Sequence, residues 1–218
     1  MQRDINMDMI SDGFRYRNSD MVKIQVNDCE GCSACCHDMG ESIILDPYDI
    51  YNLAKVTGKS FGELLEESLE LHVVDSVILP NIKMQVNSHA CHYLSAEGRC
   101  TIHDNRPGFC RLFPLGRIYE DGGFKYFHQV HECSYPSKTK VKIKNWLGIP
   151  AIATYEKYIL EWHNIIKKTE AAIDAAPDTD TEKRINMAIL TTFFVTPYNT
   201  DESFYDQFYE RIGNLDIL

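Results

Sequence analysis

The stretch "CEGCSACCH", Cys29 to His37, constrains this chain more than any other. Four of the eight cysteines fall within eight positions, and two of them, Cys35 and Cys36, are neighbours. The chemistry of a cysteine, more than its packing, decides where it is kept, so thiols this dense imply a shared partner. A Cys-x2-Cys spacing lets two thiolates face one metal, because the intervening backbone forms a tight turn with its N–H groups toward the sulfurs. That spacing runs unbroken through Cys29, Cys32 and Cys35, with Cys36 following at once. The remaining four, Cys91, Cys100, Cys110 and Cys133, form a second series.

Whether such thiols hold metal or pair as disulfides depends on the compartment. No run of about 18 apolar residues is present, so no membrane-spanning helix is expected. The opening "MQRDINMDMISDGFRY" carries acids among its apolar residues and does not read as a secretory signal. The expectation is a cytoplasmic protein with reduced thiols, and therefore metal before disulfide. The formal net charge of −10 and a pI near 5.2 repel phosphate backbones and disfavour nucleic acid as a partner. At 218 residues and 44% hydrophobic content, the chain is long enough and apolar enough for a domain with a real core.

The neighbouring cysteines bear on how the sulfurs divide. Their Cα atoms lie about 3.8 Å apart across a trans peptide. In an extended segment their side chains point to opposite faces, so one serves a first centre while the other serves a second or packs. Three ligands on one loop is the habit of [4Fe–4S] binders, whereas structural zinc sites more often use two separated pairs. The expectation is one or two cysteine-ligated centres, [4Fe–4S] preferred and Zn2+ the alternative, held among Cys29, Cys32, Cys35, Cys36, Cys91, Cys100, Cys110 and Cys133. An inert zinc-stapled interaction module stays open. His37, His89, His92, His103, His128 and His131 lie near cysteines in sequence; any one could replace a thiolate or donate a hydrogen bond to sulfur, and each alone reads first as a surface or supporting group; His72 and His163 carry no motif.

Along the chain, "MVKIQV" and "SIIL" read as short extended pieces. Asp46 and Pro47 open a helix that Gly58 closes, and Ser60 with Glu63 forms a capping box for a helix over "FGELLEESLEL". Residues 72–90 read as one or two strands interrupted by Pro80. "CHYLSAEGRCTIH" reads as a tight hairpin, "DNRPGFCRLFP" as a turn or short helix, and "RIYEDGGFKYF" as a hairpin turning at Asp121, Gly122 and Gly123. Beyond residue 150, three amphipathic helices follow, and their Tyr- and Phe-rich stripe reads as core. The fold class is α+β: a small cysteine-rich core with short hairpins, covered by helices, with a helical C-terminal third. The division expected is a metal-binding part at 1–150 and a helical extension packed on it at 151–218.

The blocks "CEGCSACC", "DPYDIYNLAKVTGKSFGELLE" and "CHYLSAEGRCTIHDNRPGFCRLFP" resemble the CxxCxxCC family, described as zinc- or iron-chelating and including the flagellin lysine N-methylases. The matching positions are Cys29, Cys32, Cys35 and Cys36, then Cys91, Cys100, Arg106, Pro107, Cys110, Phe113 and Pro114. The resemblance spans about residues 25–135. It implies a bound metal or cluster and fixes no reaction; the tail beyond 150 lies outside it. By that resemblance, the enzyme alternative is a protein-modifying enzyme using S-adenosylmethionine on a protein substrate. Arg106 and Arg111 flank Cys110. They either offset the charge of a thiolate centre, hold a substrate carboxylate such as that of S-adenosylmethionine, or brace the turn, Arg106 through Asp104 or a nearby carbonyl. Phe109, Leu112 and Phe113 are expected to wall the centre from solvent. A Cys-x3-Cys-x2-Cys radical spacing and a Gly-rich phosphate loop are absent.

Overall fold

In the computed structural model, residues 7–26 and 32–215 are described. After a short helix α1 (Met7–Ile10), strand β1 (Met21–Gln25) alternates exposed and buried residues, with Val22 and Ile24 turned inward. That period of two is what a half-buried strand requires. Its antiparallel partner is β6 (Thr139–Lys142), more than a hundred residues on, with Val22 opposite Val141 and Lys23 opposite Lys140. The apolar alternation of "MVKIQV" marked the strand but not this distant partner.

Helix α2 (Pro47–Thr57) starts where the capping pair demands. The Asp46 side chain accepts from the Asp49 amide at 3.0 Å, while the Asp49 side chain accepts from the Asp46 amide at 3.1 Å. Gly58 ends it at φ 70°, the left-handed conformation that favours glycine. Helix α3 (Phe61–Glu67) carries the Ser60–Glu63 box. It stops four residues short of the expected end, because Leu69 begins β2 (Leu69–Val74), which pairs along its full length with β3 (Val77–Ile82). Ladder hydrogen bonds and burial of Leu69 outweigh the helical spacing there. Pro80 sits inside β3, and its carbonyl accepts from the Leu45 amide at 2.8 Å.

Past the second cysteine block come α4 (Gly108–Leu112) and a hairpin of β4 (Leu115–Glu120) and β5 (Gly123–His128). Its two-residue turn places Asp121 and Gly122 at positive φ, as a primed hairpin turn requires. Helix α5 (Ile143–Leu147) continues directly from β6. Three helices complete the chain: α6 (Ile152–Asp174), α7 (Thr179–Leu190), which runs into a π-helical turn at Thr191–Val195, and α8 (Phe204–Gly213). The architecture is α+β, short antiparallel hairpins with the long helices gathered in the C-terminal part.

These helices share a core with the rest of the chain. Tyr155, Tyr158 and Trp162 of α6, Phe193 and Phe194, and Phe204 and Phe208 of α8 are buried with Ile50 and Leu53 of α2 and Leu79 of β3. The Tyr48 ring lies 5.1 Å from Phe204, and Tyr158 meets Phe208 edge-on at 4.7 Å. Asn186 of α7 accepts the Ile78 amide of β3 at 2.7 Å. The aromatic stripe of the C-terminal third is core.

Candidate metal centre

Cys35 and Cys36 stand in a 3-10 turn, Ala34–Cys36, closed by the Cys36 amide on the Ser33 carbonyl at 2.8 Å. This corrects the expectation of an extended segment with sulfurs on opposite faces. Consecutive side chains of such a turn diverge by about a third of a turn, yet both thiols line the same cavity and Cys36 raises the cost of ionising Cys35. The Cys36 carbonyl then accepts the Cys91 amide at 2.7 Å, His37 bridges Ala90, and the Asp38 amide donates to the His89 carbonyl at 2.9 Å. Backbone hydrogen bonds thus knit the first cysteine block to the start of the second.

From Cys91 to Cys100 the chain makes a loop closed by one antiparallel bridge, Leu94 to Cys100, rather than by a hairpin ladder. The Ser95 amide donates to the Arg99 carbonyl at 2.8 Å, and Gly98 takes φ 76°. A 3-10 turn at His103–Asn105 follows, and Pro107 leads into α4 with Cys110 in its middle. The start of α4 is held from behind: the Gly108 amide donates to Oδ1 of Asp49 at 2.8 Å. A Cβ at Gly108 would meet Oη of Tyr155 at 2.7 Å, so only glycine lets α4 approach α6 this closely.

The outcome is one cavity of about 80 Å³ lined by Cys32, Cys35, Cys36, Cys91, Cys100 and Cys110. The two blocks, separate in sequence, face the same space. Met39, Ile43, Ile82, Leu94, Phe109 and Phe113 supply apolar walls, and His103 and Arg106 the polar edge. Leu112, expected to join Phe109 and Phe113, is buried in the general core and is not among the lining residues. Cys29 lies outside the described residues. Cys133 is half-buried on the segment between β5 and β6, away from the cavity wall, and its carbonyl accepts from Lys138 Nζ. Of the eight histidines only His103 reaches the cavity; His72 is paired with Glu41 and Glu70, and His163 stacks on Tyr119.

The thiols resist ionisation together. The Cys36 hydrogen bond, then burial, pushes Cys35 up. Burial, then Cys100 and Cys35, pushes Cys91 up to about 11. Burial raises Cys100, with Arg106 pulling the other way. Cys110 is pushed well up by burial, then by Cys91, Asp49, Cys35 and Cys100. Cys35, Cys91 and Cys100 each add to the cost of ionising another thiol of the set, and a cation among them would favour the thiolates. The donor set, all sulfur in an apolar setting, suits zinc or iron. Among the described residues, no group of three or more His, Cys, Asp or Glu side chains is placed to hold a metal ion.

The two arginines separate in role. Arg111 donates through Nε to the Arg106 carbonyl at 2.9 Å, through Nη1 to the Leu147 carbonyl at 3.3 Å, and through Nη2 to the Asp104 carbonyl. It braces the turn between the second 3-10 segment, α4 and α5. Arg106 instead donates to the imidazole of His103 rather than to Asp104 or a carbonyl, the partners of the bracing alternative, and its charge favours the thiolates of Cys35 and Cys100.

Against known proteins, the family model CxxCxxCC, whose description reads "Putative zinc- or iron-chelating domain", matches residues 28–139. The chain belongs to the CxxCxxCC family. The match begins just before Cys29, takes in all eight cysteines and ends at the first residue of β6. Strand β1 lies before the matched CxxCxxCC segment, and α5 to α8 lie after it. No curated protein and no solved structure matches the chain. Tyr155 and Asp49, which seat α4 behind the CxxCxxCC cavity, are positions that sequence reasoning missed. Asp49 had a signal, as the third residue after the Asp46 cap; Tyr155 had none.

Proposed function

We propose that this chain is a metal-binding protein whose two cysteine blocks together hold one iron–sulfur centre in the cavity between the Ala34–Cys36 turn and α4. The carrying observation is that six thiols from both blocks line a single space of about 80 Å³. One water needs about 10–15 Å³ by this measure, so the room exceeds a single ion. A tetrahedral zinc site draws four donors onto one ion, whereas each thiolate of a cluster binds its own iron.

The ligands of the centre would come from the six thiols that line the cavity, Cys32, Cys35, Cys36, Cys91, Cys100 and Cys110. When bound, an iron–sulfur cluster supplies positive charge to the thiolates and a store for an electron. The chain's own residues shape that environment. Arg106 places a positive charge beside Cys35 and Cys100, which favours the electron-rich state, and Phe109 and Phe113 exclude water.

The test is elemental analysis of full-length protein isolated without oxygen. Iron and acid-labile sulfide with broad visible absorption are expected. Colourless protein with stoichiometric zinc would replace this reading with the zinc staple, and protein with neither metal would remove it.

A further inference from the structure

We propose that a polar cleft beside the cysteine cavity binds a small oxyanion, a carboxylate or phosphate group, on Arg106. The cleft has about 500 Å³ of free space, and it shares His103 and Arg106 with the cavity. Gln25, Asn145 and Trp146 form much of the remaining wall. This size falls among those that take small molecules, roughly 300–1,000 Å³.

Arg106 is the anion-recognising group because its competitors are engaged. All three donor nitrogens of Arg111 serve backbone carbonyls. Arg106 uses Nη1 on the His103 ring, and among the described residues no carboxylate lies within ion-pair distance of it. Asp104, the carboxylate among the described lining residues, has a fully exposed side chain, 3.9 Å from Nδ1 of His103. A half-buried guanidinium that lines a polar hollow and spends only Nη1 on a neighbour keeps N–H groups for the fork that carboxylates and phosphates accept.

A second observation is independent of the cleft. On the outer face of the β1–β6 pair, Lys23 stands directly opposite Lys140, and Lys142 opposite Met21. Like charges across a ladder destabilise it, and among the described residues none of these lysines has an acidic partner. Lysines on an edge strand deter aggregation, but that purpose needs no facing pair. Gln25 lies two residues along the same face from Lys23, at the cleft wall. In a chain of net charge −10, this positive stripe leads anions toward Arg106.

The inference rests on the cleft's own residues and stands whether the cavity holds iron or zinc. Oxygen-protected full-length protein is titrated with inorganic phosphate, citrate and oligoglutamate, followed by calorimetry and by Trp146 fluorescence with Trp146→Phe as the blank. Saturable binding of phosphate or citrate is expected, and the two arms tell which oxyanion is preferred. Arg106→Gln should weaken it at least about tenfold, the loss of a charge-assisted hydrogen bond. Asn145→Asp, at an exposed position, keeps the test open should Arg106→Gln misfold, since a carboxylate there should also repel the ligand. No saturable binding, binding of oligoglutamate alone, or full binding by Asn145→Asp would overturn the proposal.

Discussion

At the scale of single residues, the cavity is a set of acids that prefer their protons. Burial and mutual repulsion hold the Cys91 thiol up to about 11, against an ordinary 9.0. A thiol whose pKa is raised by folding contributes stability below the unfolded value and loses it as pH rises through the folded value. Metal-stripped protein should therefore weaken between about pH 9 and 11, on the order of 3 kcal/mol from Cys91 alone. Chemical denaturation of stripped protein at pH 8 to 11 checks this; a flat profile would contradict it. Metal-loaded protein, with its thiolates already ionised, should lack that decline, and metal uptake should strengthen with pH because binding releases protons. The same geometry separates two cysteines that spacing alone treats alike. Cys110→Ser should strip the metal and the folding energy it supplies, whereas Cys133→Ser should leave metal content intact. Equal losses of metal from both variants would place Cys133 among the ligands.

At the scale of elements, α4 shows how a five-residue helix is positioned by its neighbours rather than by its own propensity. Asp49 accepts its first amide, Arg111 ties its side to three carbonyls, and Gly108 presses against Tyr155. Gly108→Ala would drive a Cβ into Oη of Tyr155, an overpacking cost of about 1–3 kcal/mol. Thermal unfolding should register the loss, and Tyr155→Phe in the same chain should recover part of it by removing the oxygen; no recovery would mean the strain lies elsewhere. This element also marks what was legible in the sequence. The caps of α2 and α3, the Asp121–Gly122 turn and the long helices were legible because their signals are local. The end of α3, the pairing of β1 with β6, and the partner of Gly108 were not, since each is decided by a contact distant in the chain. The cysteine blocks announced a metal site, yet the turn placing Cys35 and Cys36 together is a backbone choice that spacing does not reveal. No local pattern sets apart the fork of Arg111, spent on carbonyls, from that of Arg106.

At the scale of the whole molecule, the family segment at 28–139 shares strand pairing and core packing with what lies on either side of it. It holds nearly all the thiols' supporting turns, but β6 begins at its last residue and pairs with β1, which precedes it. Tyr48 and Tyr51 of α2 and Phe61 of α3 are covered by rings of the C-terminal helices: Phe204 at 5.1 and 5.5 Å, and Phe194 at 6.0 Å. Hydroxyls add to this cover, with Tyr51 Oη donating to the Glu202 carbonyl at 3.0 Å and the Tyr48 amide donating to Tyr158 Oη at 3.1 Å. Removing those helices would leave aromatic surface on α2 facing water, and α2 carries the Asp49 that seats the Cys110 helix. A chain ending at residue 150 should accordingly lose ordered packing in near-ultraviolet circular dichroism and fail to retain metal through gel filtration. The full chain should keep both. A truncated protein that unfolds cooperatively and carries the full metal load would show instead that the thiol–metal bonds alone organise the cysteine blocks, as in small domains folded by their metal.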